Sequence, residues 1–171
     1  MNLIDKLETH FGNLQNPTEA DITKALRELK VSTEEISPFI TEPTNLPYGR
    51  NFIYQDRNVE IVIINLPSAC CSMPHDHGNS DAYERIIDGE LTHSVFHTMD
   101  GGKIQLSSEK VYTKDEICQV PKGHIHSIKN NSLYRTVILN VYSPPITKQK
   151  LYPFASDRIA CSKEATQGET E

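Results

Sequence analysis

The feature that most constrains this chain begins near residue 47. From there, short runs rich in β-branched and aromatic residues follow one another with no helical stretch between them. They cover 51–54, 59–66, 83–87, 91–97, 104–107, 116–120, 124–129 and 137–142, and Asp88-Gly89, Asp100-Gly101-Gly102 and Asn130-Asn131 read as turns. Strands spaced this closely leave no room for crossover helices, so the expected architecture is an antiparallel sandwich or barrel. The first third reads differently. Leu3, Ile4, Leu7, Phe11 and Leu14 recur at helical spacing, and Ile22, Ala25, Leu26 and Leu29 form a second apolar stripe. Asn16-Pro17-Thr18-Glu19 reads as the start of that second helix, with Asn16 as its cap. Thr33-Glu34-Glu35 opens a shorter helical piece that Pro38 disturbs. The expected organisation is one domain over 1–171: a helical segment at 1–46, a β-barrel at 47–145 and an irregular tail at 146–171, with 162–171 polar and frayed.

Composition narrows the function classes. A chain of 171 residues suits a single domain. Its net charge of -6 argues against nucleic-acid or anionic-membrane partners, which need a basic face. No run approaches the roughly 18 apolar residues of a membrane span, and Met1–His10 has no signal-peptide pattern. We therefore expect a soluble cytoplasmic protein with reduced thiols. Among the four cysteines, Cys70 and Cys71 are adjacent, Cys118 sits in an apolar run and Cys161 lies in the tail. None has metal-binding Cys-x-x-Cys spacing, so a thiolate-rich zinc site is not expected.

Two histidine groups carry the chemistry. The first is Pro74-His75-Asp76-His77-Gly78, and the second is Pro121-Lys122-Gly123-His124-Ile125-His126-Ser127-Ile128-Lys129-Asn130. Residues i and i+2 of a strand share a face, so His75 and His77 can offer two imidazoles to one metal. A third ligand from the second group would complete the set, and His124 and His126 share a strand face there. An isolated His-x-His is also what a solvated turn can contain.

Together the two groups resemble the two motifs of the cupin family. With Tyr48-Gly49-Arg50-Asn51 upstream and Leu139-Asn140-Val141-Tyr142-Ser143-Pro144-Pro145 downstream, the chain is similar to the thiol dioxygenases, in particular the bacterial-type cysteine dioxygenases, over roughly residues 1–150. That resemblance implies a mostly β, cupin-type jelly-roll barrel behind a helical N-terminal segment. It implies one Fe(II) per chain held by His75, His77 and His126, with O2 as co-substrate and a small thiol as partner. The implied reaction is oxidation of L-cysteine to cysteine sulfinic acid. The alternatives are another small carboxylated thiol such as 3-mercaptopropionate, or a different metal-dependent or ligand-binding cupin. His126 is selected over His124 by the family spacing and by its His-x-x-x-Asn continuation.

The same resemblance casts Arg50 as the clamp for the substrate carboxylate, since a guanidinium donates two parallel hydrogen bonds. Tyr48 supports it, Tyr142 is the catalytic phenol, and His124 and Asn140 are expected beside these residues. Asp81 falls where cupins often carry an acidic fourth ligand. The chain also departs from the family pattern. The cysteine that mammalian-type members crosslink to tyrosine is Ala82 here, and the usual Ser and His before the tyrosine are Ile138 and Asn140. Ile has no hydrogen-bonding group and Asn does not titrate, which bears on the identity of the thiol. The resemblance leaves the oligomer open between a monomer and a small homo-oligomer.

Overall fold

The computed structural model describes residues 1–153. Three short helices lead the chain: α1 (Leu3–Phe11), α2 (Glu19–Glu28) and α3 (Thr33–Ile36), the last running into a 3-10 turn at Ser37–Phe39. Each helix opens with a capping box, in which a short polar side chain and an acidic residue three positions on satisfy each other's backbone N–H. For α2 the box is Thr18 with Asp21. The expected cap at Asn16 lies outside it, with a left-handed φ of 45°. The two signals sit two residues apart, and the reciprocal bonding of Thr18 and Asp21 decides between them.

Among the described residues ten strands follow: β1 (Gly49–Gln55), β2 (Glu60–Leu66), β3 (His75–Asp76), β4 (Asp81–Asp88), β5 (Glu90–Thr98), β6 (Ile104–Thr113), β7 (Ile117–Val120), β8 (Ile125–Lys129), β9 (Thr136–Ser143) and β10 (Lys150–Leu151). They pair into two five-stranded antiparallel sheets, ordered β1-β2-β9-β4-β7 and β10-β3-β8-β5-β6. The fold is mostly β, of cupin type, and among the described residues the α-helices lie at the N-terminal end.

Alternation along the first sheet sorts its residues into two cores. Ile61, Ile63, Val137, Leu139 and Val141 pack against Leu7, Phe11, Ile22 and Leu26 of the helices. Val62, Ile64, Ala82, Ile86, Ile138 and Tyr142 point the other way, into the space between the sheets, with Leu91, Cys118 and Ile128. With both faces covered, β2 is buried along its whole length, which is why 61–64 reads as a continuous apolar run between Glu60 and Asn65. Arg85 ties α2 to the sheet: its Nη1 donates to the carbonyls of Leu26 and Leu29 at the helix end, both at 2.7 Å, and its Nη2 pairs with Asp115.

The structure departs from expectation in two further places. β6 extends to Thr113, through a mostly exposed stretch without apolar alternation, in which Tyr112 packs against the core. Residues 150–151, inside the region expected to be irregular, form a strand paired with β3. The expected frayed segment 162–171, and Cys161, lie outside the described residues.

Candidate metal centre

Strand register builds the site. β3 pairs with β8 so that His75 stands directly opposite His126, and His77 follows two residues after His75 on the same face. The turn beyond His77 needs Gly78, whose φ is +60° and whose amide donates to Asp76 Oδ1. The three imidazoles converge. Their ring centroids lie 4.5–5.0 Å apart, and their ligating nitrogens fall within 4.8 Å of one another. All three residues are buried.

Hydrogen bonding leaves the inward nitrogens available. His75 Nδ1 lies 2.7 Å from the Met73 carbonyl, which can only accept, so that nitrogen carries the hydrogen and Nε2 keeps its lone pair. His126 Nδ1 is taken up by His93 Nε2 at 3.0 Å. His126 Nε2 faces His77 Nε2 at 3.3 Å, and His77 Nδ1 is buried without a partner. Burial lowers the pKa of each ring, His77 to about 3, so all three are neutral near pH 7. Neutral, converging imidazoles with free lone pairs fit a divalent transition metal. The group contains no carboxylate. Asp81 accepts from the Lys122 amide at 2.9 Å and stands outside the group.

Tyr142 joins the site from β9, its ring edge-on to His77 with centroids 5.0 Å apart. Asn140 Nδ2 donates to Tyr142 Oη at 3.0 Å, so the expected proximity of Asn140 and Tyr142 is observed. Tyr48 packs against the core that contains Tyr142. Arg50, on β1, is near enough for its charge to be felt at both His77 and Tyr142. Its Nη2 already donates to Glu60 Oε1 at 2.7 Å, and Glu60 Oε2 accepts from the Ile146 amide. This arrangement orients the guanidinium. Gly49 lets the strand begin here, since a Cβ at that position would sit 1.8 Å from the Thr41 carbonyl oxygen.

His124 is not beside the site. The left-handed Gly123, at φ +73°, puts His124 in an exposed turn, and β8 starts only at Ile125. The shared strand face expected for His124 and His126 therefore does not exist. Two residues beside the site were not anticipated. His93, on β5, stands diagonal to His126, because Val95 is the residue opposite it. Glu84, on β4, stands opposite both Cys118 and Asn140. Neither has a motif, and only the register between strands reveals them.

Comparison with known proteins places this geometry. The family model for cysteine dioxygenase type I matches residues 16–154. Among solved structures, the chain is similar to a conserved protein with a double-stranded β-helix domain from Klebsiella pneumoniae subsp. pneumoniae MGH 78578 (TM-score 0.54, 15% identity, covering 69% of this chain and 94% of that one). It is also similar to TT1209 from Thermus thermophilus (TM-score 0.53, 16% identity, 64% and 93%). A third likeness is to recombinant oxalate oxidase in complex with glycolate (TM-score 0.53, 14% identity, 66% and 61%). At these identities the solved structures speak to the fold alone.

Proposed function

The chain belongs to the cysteine dioxygenase type I family, and from that premise we propose that it is an iron-dependent thiol dioxygenase acting on L-cysteine to give cysteine sulfinic acid. The observation that carries this reading is the convergence of three buried, neutral imidazoles with no carboxylate among them. His75, His77 and His126 would hold the iron. When bound, Fe(II) supplies open coordination positions and favours the thiolate form of a thiol ligand. A neutral protein set suits a substrate that brings its own negative sulfur, whereas a carboxylate ligand would add a second negative charge.

The remaining residues act on the substrate. Arg50, steadied by Glu60, receives the substrate carboxylate on the guanidinium hydrogens that Glu60 does not take. Asn140 donates to Tyr142 Oη, so the phenol's own hydrogen is available to donate toward the substrate. Burial raises the Tyr142 pKa far above its ordinary value, which keeps the phenol protonated as a donor. Tyr48 borders the same pocket. The reading calls for a small thiol as partner, with no nucleic acid or membrane surface, and for a cytoplasmic setting. Among the described residues no helix is long and apolar enough to cross a membrane.

One observation favours a second substrate. Ile138 and Asn140 stand where the family pattern has Ser and His, so a different carboxylated thiol, 3-mercaptopropionate, is the rival. The test loads the protein anaerobically with Fe(II), then adds thiol and air. Cysteine should drive oxygen uptake and yield the sulfinate. Much faster turnover of 3-mercaptopropionate would overturn the substrate assignment, and no uptake with either thiol would overturn the activity.

A further inference from the structure

Behind the three-histidine group lies a second buried cluster. Glu84, His93 and Cys118 come from β4, β5 and β7, and one ligating atom of each lies within 4.8 Å of the others. Glu84 is 1% exposed, and its Oε2 has no hydrogen-bond partner. Its Oε1 accepts only a long bond of 3.4 Å from Asn140 Nδ2. An orphaned carboxylate oxygen this deep calls for either a cation or a donor.

Proton bookkeeping on the imidazoles decides between them. If His126 gives its Nε2 lone pair to a metal, its Nδ1 must carry the hydrogen. That hydrogen is donated to His93 Nε2, 3.0 Å away, which must then be the acceptor. The other ring nitrogen of His93 is in turn an N–H. A nitrogen carrying hydrogen cannot ligate a second metal, but it can donate to an acceptor in the same cluster, whose ligating atoms lie within 4.8 Å of one another. We propose that His93 and Glu84 are positioning residues for the metal centre: His126 donates to His93, and the buried Glu84 carboxylate is the acceptor at the end of the chain. This rests on His126 being a metal ligand, as the proposed function has it.

Such a chain has two effects. It holds the ring of His126 in the orientation and tautomer that point Nε2 at the metal, and it makes that nitrogen a stronger donor. Glu84 also reaches the other side of the site, since Asn140 Nδ2 is shared between its carboxylate and Tyr142 Oη. One buried carboxylate thus positions both a ligand and the phenol, in a barrel whose family-pattern Ser and His are missing. With Oε2 unpartnered, burial pushes the Glu84 carboxyl up to about 8; an N–H donated to Oε2 would favour the charged form that the chain requires.

The test uses Co(II) on the purified chain, with affinity read by competition against a chelator and geometry read from the visible cobalt spectrum. Glu84→Gln keeps the shape and removes the negative acceptor. It should weaken Co(II) binding roughly 10–100-fold and alter the cobalt spectrum, as loss of an outer partner does elsewhere. The melting temperature of the metal-free protein should hold or rise, because an uncompensated buried carboxyl is removed. His93→Gln should weaken binding comparably. The double variant should be no worse than the poorer single one, since the two residues act in one chain. Wild-type stoichiometry should be one Co(II), without thiolate-to-cobalt absorption. Wild-type affinity and spectrum in Glu84→Gln would overturn the proposal. So would a second Co(II) with thiolate absorption that Cys118→Ser abolishes, which would make the cluster a metal site. Wild type that binds no Co(II) would overturn the three-histidine centre itself, an outcome distinct from indifference to Glu84→Gln alone.

Discussion

Single residues divide into those that a motif announces and those that only geometry reveals. His75, His77 and His126 are legible because they fall in two short local histidine patterns, and the structure brings them together. His124 is the instructive counterpart. Its i+2 relation to His126 suggests a shared face, but Gly123 turns the chain and leaves it exposed. His126→Ala should therefore abolish metal retention while His124→Ala retains a full equivalent, as metal analysis after gel filtration will register; equal losses would contradict the ligand set. Arg50 makes a second case. Arg50→Lys keeps a charge beside Glu60 but loses the fork, so KM for cysteine should rise about 10–100-fold, equivalent to roughly 1.5–3 kcal/mol of a charged hydrogen bond. A kcat loss with KM unchanged would remove Arg50 from carboxylate binding. Arg50→Ala is the poorer probe, because it strands the nearly buried Glu60 carboxylate. His93 and Glu84 were illegible because their partners sit on other strands, and a register is needed to find them.

At the scale of elements, the strong periodic segments are readable and the short polar ones are not. The helices α1 and α2 and the apolar strands β2 and β9 follow their patterns closely. β3 has only two residues, and β10 lies past the double proline, so neither presents a period. These two elements nevertheless hold the site. β10 pairs with β3 so that Leu151 stands opposite His75, the Tyr152 amide donates to the Pro74 carbonyl, and Tyr152 Oη donates to Asp76 Oδ2 at 2.7 Å. Residues 150–152 thus clamp the strand that carries His75 and leads into His77. Tyr152→Phe should cost about 1 kcal/mol or less of global stability, yet measurably weaken metal retention by loosening His75 and His77. A melting curve and a chelator competition separate the two effects, and unchanged metal affinity would contradict the clamp.

The whole molecule links the site to stability. Burial holds His77 at about 3 and His93 at about 4 in the folded state, against about 6.5 in an unfolded chain. Between about pH 6.5 and pH 4 the unfolded metal-free protein binds more protons than the folded one. Its stability therefore falls as pH is lowered through that window, by up to about 1.4 kcal/mol per pH unit for each such histidine. Glu84 acts oppositely. Its folded value near 8 lies above its ordinary 4.5, so its share of stability is lost as pH rises between these values. The buried histidines outnumber it, and thermal melts of the metal-free protein should drop from pH 6.5 to pH 4.5. Melts that stay level or rise on acidification would contradict the buried, neutral imidazoles on which the metal centre depends.

The central claim is that this barrel adds both atoms of dioxygen to the sulfur of cysteine. Turnover of the Fe(II)-loaded protein with cysteine under isotopically heavy dioxygen, followed by mass analysis of the product, addresses it most directly. The expected product is cysteine sulfinic acid with both sulfinate oxygens labelled, with none formed by the His126→Ala protein. Sulfinate carrying label from water, or oxygen consumed without sulfinate, would contradict it.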